Sequence, residues 1–389
     1  MRIGTCYMAA LLLVVFLLPS ALSFKLLNPE CRKYFVPGPG EPIVKTNAQC
    51  PSLAAIDYDN DGDLDFLMSM NEYVYMVTNK GGKFEETILY SSFWDEPYVL
   101  SGRFAVADFN NDGHQDFVFS DIRGKIWIFV NQGSKKDEPN FDYHIYTELG
   151  QCALGLDAAD FNHDGLMDFV VSCETLPAEY ETISIFCNCG NLTFEKKEIY
   201  RFNVLDERIS ITDLVARDFD DDGDIDIVFA GSYFDWYGTF KKWPINVKEQ
   251  FFYLENIGEE DFAPPRLIAE RGKPLRIWLG LWFFFKVQAP LRQMLGMNRI
   301  NPSIASADFD MDGDMDLVSG DWSGKIELFL NDGSGNFTSA GIIHRYGFGG
   351  TLEAADFDKD GDADLLIGTL NCYGSDFGYV YLKKNLCIS

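Results

Sequence analysis

The chain has 389 residues, 47% of them apolar and 15% aromatic, a composition that supports a packed core and excludes a largely disordered protein. Its 60 acidic residues outnumber 32 basic ones, for a net charge of −28. Such an excess argues against nucleic acid and anionic membrane as partners.

Residues 1–23 read as a secretory signal peptide, with Arg2 as the basic start, an apolar stretch from Ala10 to Leu18 and a small-residue cleavage site at Ala21-Leu22-Ser23. The apolar run is too short to span a bilayer. No transmembrane span is expected once it is removed, and residues 24–389 are expected to form one extracellular or lumenal domain. Of nine cysteines, Cys6 leaves with the signal, and the remaining even number suggests disulfides in an oxidising compartment.

The organising feature begins at Asp57. Asp57, Asp59, Asp61, Asp63 and Asp65 surround Gly62 at relative positions 1, 3, 5, 7 and 9. The same loop recurs with Asp108, Asn110, Asp112, His114 and Asp116 around Gly113, and with Asp160, Asn162, Asp164, Leu166 and Asp168 around Gly165. It recurs again with Asp218, Asp220, Asp222, Asp224 and Asp226; with Asp308, Asp310, Asp312, Asp314 and Asp316; and with Asp356, Asp358, Asp360, Asp362 and Asp364. Alternate carboxylates in a tight loop converge, and in a partly dry site their repulsion costs on the order of several kcal/mol unless a cation sits among them. A hard divalent ion with oxygen ligands, Ca²⁺ above all, meets that need, and about six would cancel roughly 12 charges. Glycine at position 6 supplies the left-handed turn. Position 7 varies in type, so it is expected to offer its backbone carbonyl.

An EF-hand would need Glu at position 12 and flanking helices. Position 12 is Met68, Phe119, Val171, Phe229, Ser319 and Ile367, and the flanks are short apolar runs of strand character. Each loop is therefore expected to join two strands. The second repeat predicts the whole unit: strand A at Phe104–Ala107, strand B at Asp116–Ser120, strand C at Lys125–Val130, a turn at Asn131-Gln132-Gly133, and strand D from Phe141. First aspartates lie 51, 52, 58, 90 and 48 residues apart. Strand-rich periods near 40–50 residues indicate β-propeller blades of four strands.

A second signature, Asn-x-Gly followed by Phe, marks the C–D hairpin at Asn79…Phe84, Asn131…Phe141, Asn188…Phe194, Asn256…Phe262 and Asn331…Phe337. It assigns the long gap to one blade with insertions at about 234–250 and 271–302. The sixth repeat stops after strand C. Residues 24–50 carry no Asp loop and are expected to supply its missing strand, closing a ring and hiding its edges. The expectation is an all-β propeller of six four-stranded blades; a seventh, reduced blade within 271–302 stays open.

Cys152 and Cys173 bracket the third loop and are expected to face each other across its strands. Cys187 and Cys189 share one strand. Sequons Asn191-Leu192-Thr193 and Asn336-Phe337-Thr338 fall in turns, where N-glycans fit; Asn301-Pro302-Ser303 is excluded by its proline. The later insertion is aromatic and basic, with Trp278, Trp282, Arg271, Arg292 and Arg299. It suggests a lobe for a protein or glycan partner, against the plainer reading that it packs on the propeller or plugs its channel.

The six loops and the lead-ins Ala107-Asp108-Phe109, Ala159-Asp160-Phe161, Ala307-Asp308-Phe309 and Ala355-Asp356-Phe357 resemble the FG-GAP family. That repeat builds the propeller head of integrin α subunits and of many secreted proteins. The resemblance implies structural Ca²⁺ on one face, held at positions 1, 3, 5, 7 and 9. Integrin-like heads have seven blades with calcium in only some, and they continue into further domains; both points set this chain apart. Some secreted propellers of this general kind are polysaccharide lyases, but no catalytic set stands out: His144 and His344 are isolated, and His114 and His163 lie inside loops. The reading is a secreted calcium-binding propeller that binds an extracellular protein or glycan, with a lyase-like enzyme as the alternative. The wide loop spacing and the strand patterns weigh heavily against a thrombospondin type 3 array.

Overall fold

Each repeat places two apolar runs on either side of an Asp loop, and two more on either side of an Asn-x-Gly turn. Four short strands joined by tight turns can pair only with their sequence neighbours, which makes an antiparallel meander. The computed structural model describes residues 34–35, 40–46, 51–70, 73–91, 102–121, 124–134, 138–149, 152–174, 180–203, 209–234, 245–258, 260–275, 303–321, 324–345, 348–370 and 378–387. Among them every regular element is a strand, and the strands form six sheets of four.

In the second blade the strands are Arg103–Ala107, Asp116–Ser120, Lys125–Asn131 and Phe141–Glu148, as the sequence pattern requires. The innermost strands of neighbouring blades touch in a closed cycle: Ser52–Ile56, Arg103–Ala107, Cys152–Ala159, Ile209–Arg217, Ser303–Ala307, Phe348–Ala355 and back to Ser52–Ile56. The ring closes at six blades, so no seventh is needed. Closure comes from the N-terminal segment. Glu41–Thr46 pairs antiparallel with Gly378–Lys383 as the outermost strand of the sixth blade.

A propeller sheet is apolar on both faces, because each face packs on a neighbouring blade. The buried side chains accordingly fall into six clusters, one in each gap between adjacent blades, instead of one central core. The fourth blade takes up part of both expected insertions. Its third strand begins at Ile245 and its fourth runs to Leu275, pairing Ile245 with Leu275. Trp236, Tyr237, Trp278 and Trp282 lie outside the described residues, as do residues 1–33 and Cys31, Cys50 and Cys372.

One expectation fails. Cys152 stands opposite Glu174 and Cys173 opposite Ala153, with a bulge just beyond, so the two cysteines are one position out of register. Symmetric spacing about a loop fixes a strand pair only to within one residue, and one residue changes the face.

Candidate metal loops and axial cavity

Every loop folds the same way. Position 4 is left-handed in all six (Asn60, Asn111, His163, Asp221, Met311, Lys359), as is the glycine at position 6. The glycine was legible in the sequence; the second left-handed residue was not, because it follows no residue type. These two reversals turn the backbone inward. The N–H of position 6 donates to the position 1 carboxylate in all six loops, from Gly113 to Asp108 at 2.8 Å and from Gly62 to Asp57 at 3.1 Å. The N–H of position 7 donates to position 5, as from Asp63 to Asp61 at 2.7 Å.

These bonds use one oxygen of each carboxylate and leave others buried without a partner: Asp57 Oδ1, Asp218 Oδ1 and Asp356 Oδ1 at position 1, Asp220 Oδ1 and Asp358 Oδ1 at position 3, and Asp65 Oδ2 and Asp364 Oδ2 at position 9. Carboxylate oxygens lie within 4.8 Å of one another in Asp57/Asp59/Asp61, Asp218/Asp220/Asp226, Asp308/Asp310/Asp316 and Asp356/Asp358/Asp360. Buried, converging, unpartnered anionic oxygens fit a hard cation. Burial, with the loop's other carboxylates adding to it, pushes Asp65, Asp116, Asp226 and Asp364 up to about 7, Asp168 to about 6 and Asp316 to about 8. A bound cation would hold them ionised.

The loops are not equivalent. In the second and third, position 3 is Asn, and its amide donates to the position 5 carboxylate (Asn110 to Asp112 at 3.0 Å, Asn162 to Asp164 at 3.2 Å). In the fourth, the Tyr253 hydroxyl donates to Asp226 at 2.8 Å and reaches Asp220 at 3.1 Å. In the sixth, Lys384 Nζ sits 2.8 Å from Asp358.

Position 9 does a second job. Its Oδ1 accepts the backbone N–H of the hairpin asparagine in every blade, at 2.6–2.9 Å. In four blades the asparagine's own amide then crosses to the preceding blade. Asn131 donates to the Tyr58 carbonyl at 2.8 Å, Asn188 to Phe109 at 2.8 Å, Asn331 to Phe219 at 2.7 Å and Asn385 to Phe309 at 3.1 Å. The two sequence signatures are thus one device, tying loop to hairpin and blade to blade.

Position 7 side chains meet the position 4 residue of the preceding loop rather than turning into their own. Asn60 donates to the Gly113 carbonyl at 3.0 Å and lies 3.1 Å from His114 Nδ1. His163 Nε2 meets Asp224 at 3.1 Å, and Lys359 pairs with Asp63. Of the predicted ligand set, Asp63, His114 and Asp224 therefore spend their side chains between loops, and Leu166 has only its carbonyl to offer.

The innermost strands enclose a cavity of about 210 Å³ on the ring axis, which sequence reasoning missed. Charged residues from different blades meet there. Arg103 reaches Asp213 at 3.1 Å, and Arg217 meets Asp157 at 2.9 Å. Asp213 also accepts from the Ser303 hydroxyl at 2.8 Å. Glu353 Oε1 accepts the Ala55 N–H at 3.1 Å. Burial, reinforced by Asp157 and opposed by Arg217, pushes Glu353 up to about 8. The one available signal was a charge inside otherwise apolar strand A runs, as in Leu156-Asp157-Ala158 and Leu352-Glu353-Ala354.

A closed ring of six four-stranded antiparallel blades, carrying Asp loops between first and second strands, defines a β-propeller of repeated Asp-loop blades. The FG-GAP-like repeat model matches residues 57–119, 108–171 and 308–367, which supports reading these blades as FG-GAP-like repeats. Comparison with curated proteins gives no match. Among solved structures, the chain is similar to the GH93 α-L-arabinofuranosidase of Fusarium graminearum in complex with arabinobiose, at 8% identity over 88% of this chain and 96% of that one, with a TM-score of 0.54. It is also similar to a triple arginine-to-alanine mutant of AofleA from Arthrobotrys oligospora, at 9% identity over 88% of each chain, with a TM-score of 0.50. At such identities the likeness is one of fold.

Proposed function

We propose that this is a secreted, calcium-stabilised propeller that acts as a binding module for an extracellular protein or glycan. The observation that carries the reading is the convergence of carboxylate oxygens in the first, fourth, fifth and sixth loops, several of them buried and unpartnered. Positions 1, 3, 5 and 9 would hold the ion, with the position 7 carbonyl. Ca²⁺ would supply there the positive charge that the converging carboxylates lack. Extracellular calcium is millimolar, so even sites with dissociation constants of about 10⁻⁴–10⁻³ M would be filled.

Secretion is supported by the pattern of residues 1–23 and by both sequon asparagines, Asn191 and Asn336, which are exposed at C–D hairpins. Among the described residues no helix is long and apolar enough to cross a membrane. The loops, linked in a belt around the ring, are the rigid platform, and the aromatic, basic segment with Trp278 and Trp282 is the candidate partner lobe.

The test uses the purified mature chain. Equilibrium dialysis against millimolar Ca²⁺ should find several ions bound per chain. EGTA should lower the melting temperature by 10 °C or more, on the order expected when several bound ions are lost. A screen of glycans and cell-surface proteins should give a partner whose binding EGTA abolishes and deletion of residues 276–299 weakens without loss of fold. A chain that retains no calcium, or melts identically in EGTA, overturns the stabilising role. Turnover of a polysaccharide in the same screen would replace the binding reading with the enzymatic one.

A further inference from the structure

The third blade carries two cysteines that neither the loops nor the axis employs. Cys187 is the penultimate residue of its third strand, Tyr180–Asn188, and Cys189 follows that strand. Both line one pocket of about 420 Å³, together with Asn162 and Asp164 of the third loop and Glu260 from the fourth blade. Cys187 is half-buried, and its thiol donates toward Glu260 Oε2 at 3.7 Å. Cys189 is exposed, with its Sγ 3.7 Å from the Cys187 carbonyl. Residues two apart on a strand point to the same side. Cys173, on the neighbouring strand, stands opposite Thr182, five residues before Cys187 and about 16 Å away at strand spacing. The partner within reach of each of the two thiols is therefore the other.

A bond between them would be strained. Two residues of strand separate Cα atoms by about 6.6 Å, near the upper limit of about 6.8 Å for a disulfide and beyond the usual range of about 5.5–6 Å. Closing it requires the chain to shorten at Asn188, and Asn188 is pinned. It is only 1% exposed. Its N–H donates to Asp168 at 2.6 Å, its amide donates to the Phe109 carbonyl at 2.8 Å and the Met167 carbonyl at 3.1 Å, and its Oδ1 accepts the Gly190 N–H at 3.0 Å. A disulfide held under strain is more easily reduced, which is the property of labile bonds and not of structural ones.

We propose that Cys187 and Cys189 form a thiol-exchange site: a reducible internal disulfide that a small thiol opens by bonding to Cys189. The incoming thiolate attacks the exposed Cys189 sulfur. The new S–S bond forms there as the internal one breaks, and the electron pair leaves on Cys187, which takes a proton from water. The incoming sulfur is oxidised to the disulfide level and the Cys187 sulfur is reduced to a thiol, so the step balances. The internal bond is itself made by the same exchange, with a small-molecule disulfide as oxidant. Once released, Cys187 is a poor attacker. Burial, and then the Glu260 carboxylate, push its thiol up to about 12, so it stays protonated and the captured thiol is retained. The pocket falls within the roughly 300–1,000 Å³ of small-molecule sites, which leaves room for a thiol of glutathione's size.

The experiment uses the full mature chain in millimolar Ca²⁺, with glutathione as the probe thiol. The chain is equilibrated with oxidised glutathione and then with rising reduced glutathione, quenched in acid, alkylated and read by mass spectrometry over the segment that carries both cysteines. The first step should give the internal Cys187–Cys189 disulfide. In about 1 mM reduced glutathione more than half of the chains should be opened, with glutathione on Cys189 and a free thiol at Cys187. Cys189→Ser should lower the adduct at least tenfold. Cys187→Ser should keep it, taken directly from oxidised glutathione, and unchanged melting temperatures would show that both variants fold. The proposal falls if both cysteines remain free thiols in oxidised glutathione, or if the adduct sits on Cys187. It falls equally if the internal bond survives about 10 mM reduced glutathione, as a structural disulfide would. The redox buffer is supplied, so none of these outcomes depends on the calcium count, the EGTA melt or the partner screen, and this site and the loop-face reading fail separately.

Discussion

The hairpin asparagine is a one-residue solution to a two-blade problem. Asn131 is fully buried, and its amide donates to Tyr58 of the preceding blade and to Gln115 of its own loop at 3.1 Å. Truncation leaves two buried carbonyls unpaired, at about 1–3 kcal/mol each. Asn131→Ala is therefore expected to lower unfolding free energy by about 2–4 kcal/mol in urea, whereas Asn336→Ala, at an exposed turn position, should change it by less than about 0.5 kcal/mol. Equal effects would show that the amide has no special role. A second residue-scale expectation concerns Lys384, which stands against Asp358 where an ion would otherwise draw that oxygen. Lys384→Met should make one calcium per chain harder to remove in an EGTA competition. Unchanged retention would mean that the ammonium and the metal do not compete.

At the scale of strands, most of the architecture was legible because the repeat states it six times over. Strand limits in the second blade match within a residue, and the closing role of the N-terminal segment followed from the blade that lacked a fourth strand. What was not legible is what ring closure itself creates. A sixth Asn…Phe pair exists, Asn385 bridging Phe35, but its members sit at opposite ends of the chain, so no local pattern joins them. Phe35 packs 5.8 Å from Phe309, as Phe337 packs 5.7 Å from Phe219 one blade earlier. The cavity charges were hidden for the same reason: Arg103 and Asp213 belong to different blades and meet only across the axis. Register was the other gap, since Cys152 and Cys173 differ by one position that spacing cannot specify. If closure depends on the terminal pair, Phe35→Ala should cost about 3–5 kcal/mol, the range for emptying a buried phenyl site. It should also make the chain aggregate earlier on heating as the sixth blade's edge is exposed. A loss below about 1 kcal/mol would place closure wholly in Glu41–Thr46.

At the scale of the molecule, the blades are held together by six apolar seams outside and by a few charged contacts on the axis, and pH separates the two. Glu353 is the group to follow. It accepts the Ala55 amide from the first blade and shares the cavity wall with Arg103 from the second, Asp157 from the third, Asp213 and Arg217 from the fourth, and Ser306 from the fifth. Its carboxyl is raised from 4.5 to about 8, chiefly by burial. Between those values the folded protein keeps a proton that the unfolded chain releases, so stability must fall as pH rises. The contribution is fully present below pH 4.5, declines through the window and is lost above about 8, with an upper bound on the order of 5 kcal/mol. Glu353→Gln keeps the shape and removes the proton equilibrium. With Ca²⁺ held saturating, so that the loops do not titrate, wild type and variant should have similar stability near pH 4.5, and the variant should gain steadily on wild type up to pH 8. Asp213, also raised by burial against the pull of Arg103, is present in both proteins, so the difference between them reports chiefly on Glu353. Parallel stability curves from pH 4.5 to 8 would mean that water reaches Glu353 freely and that the axis is an open channel instead of a walled cavity.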